Sequence, residues 1–448
     1  MRWTWDGELF GCDPGQPGGE SFVTPKRLIY NAHLEEKRSR IARRQPSPDM
    51  PKTCVFPETS PSVQTTEALI VGGGPAGLAA SIALRQRGIE CTVVEARTSA
   101  IPGTAGIDKA CGEGLMPDSR ELLSKLGVDL TEADGHLFHG IRFANARHSV
   151  EANFPNGSGI GVRRPRLHSL LTQRAEQVGA TLLFGSRIQL AEQATPDADG
   201  YHTALINGDP IRFRWLIGAD GQASSVRRWA GLDATRKHSL RYGFRTHYRV
   251  APWSPYVEVH WGKHGQLYIT PVAADCVCVV YITRDPHCDR HNLLAGFPAV
   301  AARLAGAEAA GPQRGAVTAT RRLQSVATDS VALIGDASGS ADAITGEGLA
   351  ISFRQAFALA DSIASGSLDH YRARHSSLSR LPHSMASLML LMDRWPALQL
   401  RSLKSLGQAP KGFNELLQAH MGQRKLPAVL LRRAPGFGLR LLSARAGA

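Results

Sequence analysis

Residues 67–95 read EALIVGGGPAGLAASIALRQRGIECTVVE, and this stretch decides the fold. Ala68-Leu-Ile-Val71 is a short apolar run of the kind found in a fully buried strand. Gly72-x-Gly74-x-x-Gly77 follows, and helical character continues to Arg87. Cys91-Thr-Val-Val94 is a second buried strand, ending at Glu95. Strand, glycine turn, helix and strand together make a βαβ unit on a parallel sheet. Each glycine has a task in such a unit. The first permits the tight turn, the second lets the backbone approach a pyrophosphate, and the third lets helix and strand pack closely. The helix start also offers free N–H groups and a positive dipole end to phosphates. Glu95 can accept both ribose hydroxyls of an adenosine and would repel a 2′-phosphate. FAD or NAD is therefore expected at this site in preference to NADP.

Two later stretches share one pattern, a buried strand that ends with Asp beside a glycine. They are Trp215-Leu-Ile-Gly-Ala-Asp220-Gly221-Gln-Ala-Ser-Ser-Val-Arg227 and Val331-Ala-Leu-Ile-Gly335-Asp336-Ala-Ser-Gly339-Ser-Ala-Asp342-Ala-Ile-Thr345-Gly346-Glu347-Gly348-Leu349. The ordered triple resembles the FAD-containing superfamily of aromatic-ring hydroxylases, of the p-hydroxybenzoate hydroxylase type, and geranylgeranyl reductases. The resemblance covers about residues 67–425. It implies an α/β fold: a discontinuous Rossmann-like FAD-binding domain, an inserted antiparallel substrate sheet and a helical C-terminus. It also implies roles. Gly72, Gly74, Pro75, Ala76 and Gly77 would hold the ADP part, with Glu95, Ala96 and Arg97 at the end of the second strand. Asp220 and Gly221 would support the flavin, and Gly335 and Asp336 the ribitol chain. Gly346 and Gly348 would lie by the pyrimidine ring, and Arg164 matches the family arginine near the cofactor. The residue chemistry agrees, since a helix starting after those glycines stabilises negative charge at the N1–C2=O edge of reduced flavin.

Asp108-Lys-Ala-Cys111-Gly-Glu-Gly114-Leu115-Met-Pro117 resembles the loop after the second strand in both subfamilies, and places Gly114 and Leu115 beside the cofactor. Its Cys-Gly leans toward the reductases. Tyr268-Ile-Thr270-Pro271 stands where the reductases carry an aromatic-rich signature, which leans away from them. The resemblance thus implies a NAD(P)H-dependent flavin monooxygenase. It would act through a C4a-hydroperoxyflavin, with O₂, on an aromatic or polyketide/quinone-like substrate. The alternatives are C=C reduction of a prenyl or lipid substrate, and a non-catalytic flavin-binding subunit. Candidate catalytic residues are Cys111 and Glu347; candidate pocket residues on the substrate sheet are His247, Tyr268 and Thr270. No second GxGxxG follows a strand, so NADPH or NADH is expected to dock transiently. Cys276-x-Cys278, His287, Cys288 and His291 fit no standard metal spacing, and no metal is expected.

The organisation follows from composition. Residues 1–66 hold 8 of the 26 prolines and no apolar period, and are expected to be disordered apart from one short helix near 27–43. Met50 is a candidate true start. The FAD domain is expected over 67–370 with the substrate sheet at about 236–325, and a basic helical region over 371–448. The net charge is +13, but residues 371–448 carry 13 Lys/Arg against Asp393 and Glu415, so the rest is nearly neutral. That argues against nucleic-acid binding by the body and leaves two readings of the basic C-terminus, a solvated helix surface or a peripheral contact with a membrane surface. Seven cysteines in no framework, and a start without an apolar run, fit a cytoplasmic setting.

Overall fold

The computed structural model describes residues 63–98, 106–191, 196–289 and 292–432. The expected helix near 27–43 and the chain beyond 432 lie outside them. β1 (Gln64–Val71), α1 (Pro75–Arg85) and β2 (Cys91–Glu95) form the βαβ unit. β1 starts four residues before Ala68, because Gln64–Thr66 already pair with Ile211–Phe213. Leu78, Ala79, Ile82 and Ala83 of α1 are fully buried, so the helix is apolar nearly all round. Truncating Leu78 to Ala would cost about 2–5 kcal/mol.

A loop then leads to β3 (Gly114–Leu115), α2 (Pro117–Lys125), β4 (His136–Phe138), β5 (Gly140–Ala144), β6 (Ser149–Asn153) and β7 (Gly159–Gly161). α3 (Arg164–Gln177) has Pro165 in its first turn, where a missing N–H costs nothing. β8 (Thr181–Phe184) and β9 (Ile188–Leu190) follow. β10 (His202–Ile206) and β11 (Asp209–Gly218) form the hairpin expected at Asn207-Gly208, both of which have positive φ. With β17 (Val331–Leu333) beside β11, these strands make a seven-stranded sheet ordered β8-β2-β1-β11-β10-β9. The first and third sequence stretches therefore meet the second on adjacent parallel strands.

α4 (Ser225–Trp229) leads into β12 (Thr235–Arg249), β13 (Tyr256–Trp261), β14 (Gly265–Ala273) and β15 (Cys276–Thr283). After α5 (Pro298–Arg303) comes β16 (Arg314–Leu323), and β18 (Gly339–Ser340) follows β17. They form the antiparallel substrate sheet, in the order β18-β16-β12-β15-β14-β13-β5-β6. The sheet is wider than expected. β5 pairs in parallel with β13, and β6 closes the edge, although both precede the insertion by about a hundred residues.

Register fixes the faces of this sheet. His247 pairs with Cys278 and Cys278 with Thr270; Arg245 pairs with Val280 and Val280 with Tyr268. With a period of two, Arg241, Arg245 and His247 therefore share one face with Tyr268 and Thr270. α6 (Gly348–Ala364) packs on α1 in the core of the FAD domain. α7 (Asp369–Arg394), α8 (Pro396–Gln408) and α9 (Pro410–His420) cover the substrate sheet. There Met389, Leu403, Leu406, Phe413 and Leu417 share one core with Trp261, Val280 and Ile282. No helix among the described residues is long and apolar enough to cross a membrane.

Candidate cofactor and substrate site

On the cofactor side the glycines do what their spacing requires. A Cβ on Gly72 (φ +110°) would lie 2.4 Å from the Ala219 carbonyl oxygen. A Cβ on Gly77 would lie 1.9 Å from that of Gly72. Gly74 is different, with nothing within 4 Å of its missing Cβ, so the space over the start of α1 is open. Gly346 (φ +67°) and Gly348 at the start of α6 are open in the same way. The two open helix starts adjoin at Gly335, where a Cβ would come within 2.8 Å of Ala76 Cβ in α1 and 3.4 Å of Ser352 Oγ in the second turn of α6. Asp336 stands between them, half exposed, with Lys109 Nζ at 3.8 Å. Two open helix starts with a carboxylate between them fit an extended dinucleotide with a phosphate end and a ring end.

Glu95 Oε2 accepts from Gly73 N at 2.8 Å, and Oε1 from Arg97 N at 2.9 Å. These bonds aim the carboxylate across the glycine turn and leave lone pairs for hydroxyl donors. Asp220 is placed otherwise. Its Oδ2 accepts from Ser225 N, Ser225 Oγ and Val226 N at 2.6, 2.9 and 3.2 Å, so it caps α4. Gly221 (φ +80°) makes the turn after it.

Two buttresses escaped sequence reasoning. His168 Nε2 donates to the Gly73 carbonyl at 2.8 Å, tying α3 to the glycine turn. Burial holds its pKa below the ordinary histidine value. Gln355 Oε1 accepts from Gly335 N at 2.7 Å, while its Nε2 donates to His375 Nε2 at 2.9 Å. Burial pushes His375 down to about 4. His168 sits among leucines and His375 in a polar, basic stretch, and nothing in either local sequence singles the histidine out.

The substrate side centres on Glu113, a residue not singled out from sequence. It is buried and holds a left-handed φ of +59°, a conformation costly for a residue with a Cβ. His247 Nε2 meets its Oε2 at 2.6 Å; Arg245 Nη1 and Arg164 N donate to Oε1 at 2.9 and 3.0 Å. Arg245 also grips Asp108 through both terminal nitrogens at 2.8 Å. Burial opposes ionisation of Glu113, but the bonds and charges of His247 and Arg245 hold its carboxyl below the usual range. The strain is thus over-determined by three partners on two elements, β12 and α3.

A second buried pair lies four residues along the same strand. Arg241 Nη1 donates to Asp342 Oδ1 at 2.9 Å, and Asp342 Oδ1 also accepts from Ile344 N at 3.0 Å. Arg241 Nη2 donates to Gln266 Oε1, which also accepts from Tyr268 Oη. β12 therefore holds both loops that border the cofactor groove, Asp108–Glu113 through Arg245 and Asp342–Gly346 through Arg241. Gly114 lies over the sheet between them, its missing Cβ 3.5 Å from Thr270 Cγ2.

The structure places Cys111, Gly346, His247, Tyr268 and Thr270 on these two loops and the sheet face between them. Cys111 is partly exposed, with Glu113 N at 3.4 Å from its Sγ. Leu115 is buried in β3. His247, Tyr268 and Thr270 are buried on the shared face, and burial pushes the Tyr268 phenol far up. Glu347 is buried with His420 Nδ1 3.7 Å from its Oε2, and burial raises its carboxyl pKa. Ligand atoms of Glu113, His247 and Cys278 lie within 4.8 Å of one another. The Arg245 guanidinium on the same carboxylate opposes a divalent cation there.

A family model described as "FAD binding domain" matches residues 65–291, just over half of the chain. The chain belongs to this FAD-binding family, of the aromatic-ring hydroxylase type, and its cofactor is FAD. It is 29% identical over 197 residues to a menaquinone reductase of Mycobacterium tuberculosis, covering 42% of this chain and 47% of that protein. It is 28% identical over 200 residues to the ubiquinone hydroxylase UbiL of Rhodospirillum rubrum, covering 43% and 45%. The chain thus spans about half the length of these relatives. Among solved structures, p-nitrophenol 4-monooxygenase PnpA of Pseudomonas putida superposes with a TM-score of 0.66 at 17% identity, over 80% of this chain and 98% of that one. That likeness speaks for the fold.

Proposed function

We propose that the chain is a flavin monooxygenase that uses NADPH or NADH and O₂ to hydroxylate an aromatic, polyketide or quinone-like small molecule. The observation that carries this reading is the double hold of β12 on the cofactor-side loops. Arg241–Asp342 and Arg245–Glu113 tie the sheet face bearing His247, Tyr268 and Thr270 to the loops at the groove edge. A water-poor compartment against the flavin is what oxygen transfer requires, since water would divert a reactive oxygen species. When bound, FAD accepts hydride and activates oxygen. The chain binds and orients.

In this reading Gly72, Gly74, Pro75, Ala76 and Gly77 hold the pyrophosphate, and Glu95 the ribose, with Ala96 and Arg97 closing the strand end. Gly335 and Asp336 hold the ribitol, and Gly346 and Gly348 admit the ring. Gly114, Leu115 and Arg164 flank it from the opposite loop, while Asp220 and Gly221 act by shaping the wall. Glu113 keeps one proton on His247 Nε2 and turns Nδ1 toward Arg163, whose Nη2 lies at 3.4 Å. These contacts fix the imidazole's orientation on the substrate face.

A second reading has its own support. Cys111-Gly-Glu113-Gly in the loop and the likeness to a menaquinone reductase favour C=C reduction, with Cys111 or His247 supplying the proton. A screen of phenols and quinones, followed by NAD(P)H oxidation and product mass, decides. A gain of about 16 mass units is oxygenation and about 2 is reduction. NAD(P)H oxidation unaffected by every candidate would leave a flavin-binding protein without catalysis.

A lipophilic substrate would be met at a membrane surface. Arg394, Arg401, Lys404, Arg424, Lys425 and Arg432 lie on or after the covering helices. Trp395 and Leu431 are 51% and 79% exposed among them. Flotation with anionic but not neutral vesicles is the expected result. No flotation with either would reduce the basic surface to plain solvation.

A further inference from the structure

Glu347 and His420 take no part in the chemistry outlined above. Glu347 lies between Gly346 and Gly348, the open positions at the start of α6, yet its side chain is turned inward and 3% exposed. His420, the last residue of α9, is 6% exposed and faces it, with Nδ1 3.7 Å from Oε2. Neither of these atoms has a hydrogen-bond partner. Buried polar atoms are almost always satisfied, and these two lie within ion-pair reach but beyond hydrogen-bond length. The other charged groups facing Glu347 are Arg354 of α6 and Asp118 of α2, which are paired with each other. They cancel, so the charge at this spot is set by the Glu347–His420 pair.

We propose that Glu347 and His420 form a redox-linked proton site, holding one proton when FAD is oxidised and two when it is reduced. The proposal rests on reading the start of α6 as the pyrimidine end of FAD. Hydride from the nicotinamide adds to the flavin and leaves one negative charge at that end. Negative charge beside Glu347 disfavours its carboxylate. A proton from solvent then leaves the pair as a neutral carboxyl and an imidazolium, and no further electron moves. Burial of Glu347 already raises its pKa, which acts in the same direction as added negative charge. Two coupled groups titrate as a unit, so removal of either abolishes the step. The α6 dipole alone gives a fixed field and has no proton to exchange.

The test uses FAD-loaded full-length protein and counts protons taken up on dithionite reduction. An indicator dye in weak buffer reads the uptake across pH 5.5–9. Wild type should take up as much as one proton per flavin more than Glu347→Gln, within a bell-shaped pH window. His420→Gln should lose the same excess. Flavin content is measured first, so a wild type that retains no FAD overturns the cofactor reading and the coupling with it. With FAD retained, equal uptake in wild type and Glu347→Gln overturns the proposal alone. So does a wild-type uptake without a bell-shaped excess, a result that needs no variant to fold.

Discussion

Replacing Arg241 with Met should both destabilise the protein and loosen its flavin. Arg241 and Asp342 are about as buried as side chains become, at 1% and 0% exposure. Met keeps much of the apolar stem but removes two bonds, to Asp342 Oδ1 and to Gln266 Oε1, each 2.9 Å long. Asp342 would retain only Ile344 N as a donor, and its Oδ2 already lacks one. Removing one partner of a buried ion pair costs about 3–5 kcal/mol, because the other charge stays buried. Arg241→Met with Asp342→Asn removes both charges and leaves an amide oxygen for Ile344 N. It should recover at least half of the loss. The assay is urea unfolding at fixed free FAD, since bound ligand adds to apparent stability. Flavin fluorescence reports release in parallel. The loop that Asp342 begins carries Gly346, so flavin should leave at lower urea than in wild type. A single variant within about 1 kcal/mol of wild type, or a double variant no better than the single, would refute the reasoning.

Three further outcomes are expected. Gly77→Ala should abolish FAD retention, because the new Cβ would meet the Gly72 carbonyl at 1.9 Å; absorbance of the purified protein reads this directly. Asp336→Ala should weaken FAD binding without preventing folding, checked by flavin titration, since the side chain is half exposed and its one ion pair is long. His375→Asn should flatten the acid limb of stability. His375 is held neutral down to about pH 4, so the unfolded chain binds its proton first as pH falls from about 6.5. Wild type should therefore lose roughly 3 kcal/mol between those two values, and the variant correspondingly less, read from unfolding midpoints at each pH.

The βαβ unit was legible because three signals coincide over a few residues: an apolar run, spaced glycines and a strand-terminal acid. The Asn207-Gly208 hairpin was legible for the same reason, as turn chemistry confined to two positions. The width of the substrate sheet was not. β6, Ser149–Asn153, buries only Val150 and Ala152, and five alternating residues carry little periodic signal. Glu113 was hidden within a glycine loop, where a lone acid reads as solvated. Only the tertiary pairing with His247 and Arg245, more than 130 positions away, gives it a role. Asp220 shows the opposite case. Its motif was plain, and the structure adds that Oδ2 takes three donors at the start of α4 while Oδ1 is left without a partner.

The basic C-terminal region takes on a different meaning in the folded chain. As a sequence it is a charged tail with leucines. In the structure the apolar faces of α8 and α9 are spent in the core: Leu403, Leu406, Phe413 and Leu417 pack with Phe143, Trp261 and Ile282 over the substrate sheet. A helix whose apolar face is already buried cannot lie with that face in a lipid interface. Membrane contact through α8 or α9 must then be electrostatic, aided by a few exposed apolar side chains such as Trp395, and it should weaken steeply with salt. Insertion of a whole helical face would instead survive high salt. Vesicle flotation at about 0.05 and 0.5 M salt separates the two. Retention at the higher salt would mean that these helices leave the sheet on binding, uncovering the face that bears Tyr268 and Thr270.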